Sequence, residues 1–223
     1  MIINHASKNW ENFIPTKVKT LVLGSFNPLN PIDNLNTDYY YGRSSNYFWK
    51  VIADILGENE DYFCGNLERK REIMEKYEFC FLDLISSITI TGLNQLHETN
   101  FRDLKIFAEF SDSVLFTSDT NFQGNNINVQ RNYNHDIFEF IEINKPNLII
   151  HTLGNNTIKI NLTTKPKENN LGINGFQGFV DLIVDNCEHF EPISKSPSGR
   201  AVRVGGQNHY QNLKEWLQNN LEL

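Results

Sequence analysis

Three short stretches of the chain crowd amide, hydroxyl and aromatic side chains together. "YYYGRSSNYFWKVI" (residues 39–52) sets Tyr41 and Phe48 on either side of an asparagine, Asn46. Aromatic faces beside an amide suit a flat ligand such as a nucleobase, which stacks on rings and hydrogen-bonds at its edge. The same residues also suit a plain loop-to-helix corner, with Asn46 capping a helix that begins at Tyr47 and with Phe48 and Trp49 in the core. "LVLGSFNP" (21–28) closes an apolar run with Gly24, Ser25, Phe26 and Asn27. An amide at a strand end can hold a water against an electrophilic carbon, and backbone N–H groups there can stabilise a departing anion. Pro28 stiffens the turn, and an ordinary strand-to-loop turn uses the same residue types. "SKSPSGRAV" (194–202) places Ser196, Pro197, Ser198 and Gly199 before Arg200. Small residues around a proline let backbone approach a phosphate or a groove closely. Asparagine fills 31 of 223 positions, about one in seven, so any single Asn is weak support for a site.

Other chemistry is absent from the pattern. The six histidines (5, 97, 135, 151, 189, 209) show no HxH or HxxxH spacing and read as surface or core residues, so neither a metal nor a cofactor is expected. The three cysteines (64, 80, 187) are scattered and form no CxxC pattern, which fits a reducing, cytoplasmic setting. No GxSxG, Walker or GxGxxG motif occurs. No apolar run approaches the ~20 residues of a membrane span, and "MIINHASKNWENF" does not read as a signal peptide. The net charge of −7 opposes a partner held mainly through phosphates. A local strip at 193–210 carries Lys195, Arg200 and Arg203 and no acid. Such a strip predicts weak, salt-sensitive contact with DNA.

The elements that must position these residues follow from hydrophobic patterning. Buried strands are expected in "VKTLVLGSF" (18–26), "EFCFLDLISSI" (78–88), "KPNLIIHTLGNN" (145–156) and "FVDLIVD" (179–185), with a short one in "SVLFTS" (113–118). Helices are expected in "NYFWKVIADILG" (46–57), stopped by Gly57, in "HDIFEFIEIN" (135–144) and in "YQNLKEWLQNNL" (210–221). Strands alternating with helices predict a single α/β domain over 1–223, a three-layer α/β/α sandwich with a mostly parallel sheet of about four strands. Sites in such sheets lie beyond the carboxyl ends of the strands, where "GSFNP", "LISSIT" and "TLGNN" fall. The polar insert "TNFQGNNINVQRNYN" (120–134) is read as reshaping a pocket or an interface.

Taken in order, "SFNPL", "NYFWKVI" and "SPSGRA" resemble the uracil-DNA glycosylase superfamily. The chain looks most like its mismatch-specific uracil/thymine branch, whose motifs run G-I-N-P-G, N-R-F-W-K-V-I and N-P-S-G-L-S. "GSF" and "YYYG" lean toward the hypoxanthine branch. The resemblance spans roughly residues 18–220 and implies a monofunctional, cofactor-free hydrolase that flips a base out of DNA, acting as a monomer. It implies that Asn27 positions the attacking water if Asn27-Pro28 is matched to the family's Asn-Pro. If "GSF" is matched to G-S-F-P instead, that role passes to Asn46. Phe48 matches the aromatic on which the flipped base stacks, with Phe26 or Tyr41 assisting. Pro197, Ser198 and Gly199 match the loop that grips the strand. Arg200 stands where the family has an apolar wedge, Ser196 where related branches have His or Asn, and Leu29 where the first motif has its closing glycine. A DNA- or modified-base-binding module without catalysis, an enzyme for an unusual base, and an unrelated α/β protein remain the alternatives.

Overall fold

The structure is a computed structural model that describes residues 1–9, 13–29, 38–92, 118–122, 124–153, 183, 185, 187, 189–191 and 193–223. The expected strand 113–118 and the expected strand 179–185 lie almost wholly outside these residues.

The apolar run at 18–26 forms β2 (Thr20–Gly24), every residue of which is buried. It is the centre of a three-stranded parallel sheet between β3 (Phe79–Asp83) and β7 (Leu148–His151). Thr20 pairs with Phe79 on one side and with Leu148 on the other, and Gly24 pairs with Asp83. Both faces of such a sheet are covered, which is why its strands read as continuous apolar runs rather than alternating ones.

A second sheet overturns the expectation of a mostly parallel, three-layer sandwich. It has four antiparallel strands in the order β1-β4-β6-β5, formed by β1 (Ile2–Asn4), β4 (Ile85–Thr91), β5 (Ser118–Phe122) and β6 (Asn125–Tyr133). Two features hid it. The stretch 78–88 is not one strand: it breaks at Leu84, whose N–H donates to the Gly24 carbonyl at 3.0 Å, and the chain leaves the parallel sheet for the antiparallel one. The 120–134 insert is a β-hairpin built largely from Asn, Gln and Thr, residues whose apolar signal is nearly nil. On β6 only Ile127, Val129 and Arg131 turn inward.

Helix α1 (Phe48–Ile55) buries Phe48, Trp49, Val51, Ile52 and Ala53. Gly57, at φ +75°, ends it as the sequence predicts. Helix α2 (Leu67–Lys76) is capped by the Asn66 side chain, which accepts the Arg69 N–H. Helix α3 (Asp136–Asn144) precedes β7. Helix α4 (Gly199–Leu221) is longer than its apolar stripe foretells: it starts at the "PSG" motif and is kinked at Gly206. Leu213, Trp216, Leu217 and Leu221 are its buried stripe. Among the described residues no helix is long and apolar enough to cross a membrane.

Candidate functional site

Of the three polar turns expected beyond strand ends, "GSFN" lies there at the end of β2, "LISSIT" instead enters strand β4, and the "GNN" of "TLGNN" lies outside the described residues. Gly24 ends β2, Asp83 ends β3, and Thr152 and Leu153 follow β7; all four line one cavity of about 290 Å³. That volume falls at the small end of small-molecule sites. Across from the strand ends lie Tyr41, Arg43 and Asn46, and the Ser196–Gly199 loop closes the third side. Three segments far apart in sequence therefore form one enclosure.

Each segment is held by contacts the chain supplies. The Asn27-Pro28 turn is clamped by the N-terminus: Ala6 N–H donates to the Asn27 carbonyl at 2.7 Å and Leu29 N–H to that of Asn4 at 2.8 Å. The Asn27 side-chain oxygen accepts from the Arg43 guanidinium at 3.3 Å. The tyrosine turn is pinned from below. Buried Lys70 pairs with Asp38 at 2.7 Å, and the Trp49 indole N–H donates to the Tyr40 carbonyl at 2.7 Å. Tyr41 sits at φ +57°, a left-handed conformation that is uncommon for a bulky side chain and costs about 1–2 kcal/mol. Its hydroxyl lies 2.8 Å from that of Thr152. The Pro197 carbonyl accepts the Tyr47 N–H at 2.8 Å, and Asn46 and Ser198 form a β-bridge. A β-carbon on Gly199 would stand 2.3 Å from the Ser45 carbonyl oxygen, so only glycine lets the loop lie this close. The Ser198 hydroxyl accepts the Ala201 N–H and caps α4, whose positive end is therefore at the cavity wall.

Of the residues singled out in the sequence, Gly24, Ser25, Phe26, Asn27, Tyr41, Asn46 and Ser196 to Gly199 line the cavity. Phe48 does not. It is fully buried and the Tyr41 ring lies over it, so Tyr41 supplies the aromatic wall in its place. Asn46 caps α1, but from one residue farther out than expected: its side-chain oxygen accepts the Phe48 N–H at 2.9 Å, and Phe48 rather than Tyr47 opens the helix. Lys195, Arg200 and Arg203 are not part of the cavity lining; Arg200 and Arg203 are exposed on the first turns of α4.

Two residues that the motifs did not mark are central. Asp83 lines the cavity although only 6% exposed, and its Oδ2 lies 2.6 Å from Nε2 of buried His5. The signal for Asp83 was present in "FLDL", an acid inside a buried apolar strand, where a charge must find a partner. That the partner would be His5 is a tertiary fact: β1 pairs with β4 and carries the histidine to the end of β3. No group of three or more His, Cys, Asp or Glu among the described residues is placed to hold a metal ion.

Comparison of the chain with family models, with curated proteins and with solved structures gives no match.

Proposed function

We propose that the chain is a DNA glycosylase, hydrolysing the N-glycosidic bond of a uracil-like, mismatched, deaminated or modified base flipped out of DNA. The observation that carries this reading is the meeting of "GSFN", "YGRSSN" and "SPSG" around one small cavity, in the arrangement that the superfamily resemblance implies. An extruded base would enter against the Tyr41 ring, at an unstacking cost of a few kcal/mol that is least for a weakly paired base. Asn27 or Asn46, each lining the cavity, would orient a water toward the sugar carbon. N–H groups at the strand ends and the positive end of α4 would face the charge developing on the leaving base. An amide is not a strong base, so turnover should be slow. The partner is DNA met by a monomer, and the setting cytoplasmic.

A second reading, a base-binding module without catalysis, draws on the net charge of −7 and on Leu29 replacing the motif's glycine. Alkali-revealed strand cleavage of oligonucleotides carrying uracil, thymine, hypoxanthine, xanthine or adducted bases in several pairings separates the two. Excision of at least one base supports the glycosylase. Binding of such duplexes with no excision transfers the site to the binding module.

A further inference from the structure

We infer that the floor of the cavity selects a ring that presents an N–H donor, an amino-bearing base in preference to its carbonyl counterpart. This rests on reading the cavity as a base pocket, and among the bases proposed above it favours mismatched or modified amino-bearing ones over deaminated, carbonyl-bearing ones.

The inference starts from the hydrogen-bond directions around His5. The Ser7 backbone N–H donates to His5 Nδ1 at 2.9 Å. A backbone N–H can only donate, so Nδ1 is an acceptor and the ring proton is on Nε2. Nε2 therefore donates to Asp83 Oδ2 at 2.6 Å. Among the described residues no other donor reaches the Asp83 side chain, and Oδ1 is left facing Gly24 in the cavity wall. An ideal β-carbon on Gly24 would be 2.0 Å from that oxygen and 2.8 Å from the Tyr41 hydroxyl. The absence of a side chain at Gly24 is what admits both groups to the floor.

A carboxylate oxygen has lone pairs and no proton to give. The Thr152 hydroxyl is 3.5 Å from the Leu23 carbonyl, which can only accept. The Tyr41 and Thr152 hydroxyls lie 2.8 Å apart and either can donate to the other, so the fixed acceptor on the floor is the Asp83 carboxylate. Depth separates this floor from the rim. Asp83 and Thr152 are buried, whereas Asn27 and Asn46 are half-exposed and Arg43 is near the opening. A ring inserted edge-first meets Asp83 with its far edge. An amino group or ring N–H there completes the carboxylate's hydrogen bonding. A carbonyl there sets two acceptors against each other at a buried floor, the costly mismatch of a buried polar group left unpaired. The same pairing, carboxylate to exocyclic amino group, is how acidic side chains read cytosine.

The test uses two pairs of free bases that differ by amino against carbonyl: cytosine with uracil, and adenine with hypoxanthine. Their dissociation constants for the full chain are measured by titration calorimetry or ligand-detected NMR. The amino member of at least one pair should bind about tenfold or more tightly than its carbonyl partner. Asp83→Asn should erase or reverse that ratio. Because His5 Nε2 donates, the new amide must turn its oxygen to His5 and its NH₂ to the cavity, where it suits a carbonyl. Equal or stronger binding of the carbonyl members by the unmodified chain overturns the inference, as does absence of binding by all four. A folded Asp83→Asn chain with an unchanged ratio overturns it too; if that variant does not fold, the unmodified chain's ratio decides alone. Preference for amino bases without any excision from DNA keeps the inference and removes the glycosylase. Uracil excision with uracil preference does the opposite.

Discussion

The Tyr41 ring lies on that of Phe48, centroids 4.7 Å apart and planes 17° from parallel, so one aromatic faces the cavity and the other supports it from the core. Substitution should separate the two roles. Phe48→Ala opens a hole beside Phe81 and Trp49 and should cost about 3–5 kcal/mol of folding stability. Tyr41→Ala removes a half-exposed ring and should destabilise less, while weakening binding of a base by about tenfold, the value of one stacked base. Urea unfolding beside binding of oligonucleotides with and without the target base reads both. A Tyr41→Ala chain with normal base affinity would place the stacking surface elsewhere.

Gly24 and Gly199 are close-approach positions of different kinds. At Gly24 an added β-carbon meets the Asp83 carboxylate and the Tyr41 hydroxyl. Gly24→Ala should therefore displace groups at the core boundary and cost about 1–3 kcal/mol. At Gly199 the obstacle is the Ser45 carbonyl, which belongs to a surface turn. Gly199→Ala should lift the Ser196–Gly199 loop away from α1, lowering DNA affinity with a smaller loss of stability. Thermal melts and duplex titrations in parallel check the contrast. Equal loss of melting temperature in both variants would contradict it.

The parallel strands were legible in sequence because burial on both faces writes an unbroken apolar run, as in 21–23 and 148–150. Helix α1 was legible through the spacing of Phe48, Val51, Ile52 and Ile55. The antiparallel sheet was not, because β1 has three residues and the β5–β6 hairpin is stabilised by polar cross-strand bonds such as Asn128 to Asp119 at 2.9 Å. Two other facts are topological. The acid in "FLDL" is local, but its pairing with His5 spans 78 residues, and the layering of Tyr41 on Phe48 requires a left-handed backbone at Tyr41 that no local pattern announces. The three motif segments line one cavity: "GSFN" because it follows the central parallel strand, and the other two because each leads into a helix, α1 or α4, and they are joined by the Tyr47 N–H to the Pro197 carbonyl and the Asn46–Ser198 bridge.

Charge sets the next expectation. With a net charge of −7 and only a local acid-free basic strip at 193–210, the chain should bind duplex DNA weakly and lose affinity steeply as salt rises. Lys195→Ala and Arg203→Ala should each lower affinity uniformly across sequences and reduce the salt slope by about one. Fluorescence anisotropy on a mismatch duplex across a salt series measures this. Tight binding indifferent to salt would move the contact away from the phosphates.

The tether between α1 and α4 should be pH-sensitive. Lys214 donates to Asp54 at 2.8 Å and the Tyr210 hydroxyl at 3.1 Å, and the Lys214 bond holds the Asp54 carboxyl below its ordinary range. A carboxylate depressed in the folded state stabilises above its unfolded value, near pH 4. That contribution is lost as pH falls through the lower folded value. Asp54 is 44% exposed, so screening should leave only a few tenths of a kcal/mol. Tyr210 is pushed up to about 12, chiefly by burial and then by its bond to Asp54. Its stabilisation is therefore present below about pH 10 and disappears as pH climbs toward about 12. Asp54→Asn should flatten the acid side of the stability profile and Tyr210→Phe the alkaline side. Urea midpoints from pH 2.5 to 11.5 provide the comparison.

Asn27 and Asn46 both line the cavity, and the contacts each makes lead to opposite expectations. The Asn27 side chain bonds to exposed Arg43 and caps no helix, so removing it should leave the fold nearly intact. If it orients the attacking water, Asn27→Ala should slow single-turnover excision about a hundredfold or more, roughly 3 kcal/mol of barrier. Duplex affinity and melting temperature should barely change. Asn46 is committed to the first turn of α1 through the Phe48 N–H, and its backbone bridges to Ser198. Asn46→Ala should thus cost about 1 kcal/mol of stability for the lost cap, with a milder kinetic effect. Asn46→Asp separates the two roles further, since a carboxylate can still cap α1 but changes what meets the water. The reverse pattern, an inert but fully stable Asn46→Ala chain beside a nearly normal Asn27→Ala chain, would assign the water to Asn46 and with it the alternative match of "GSF" to the family's first motif.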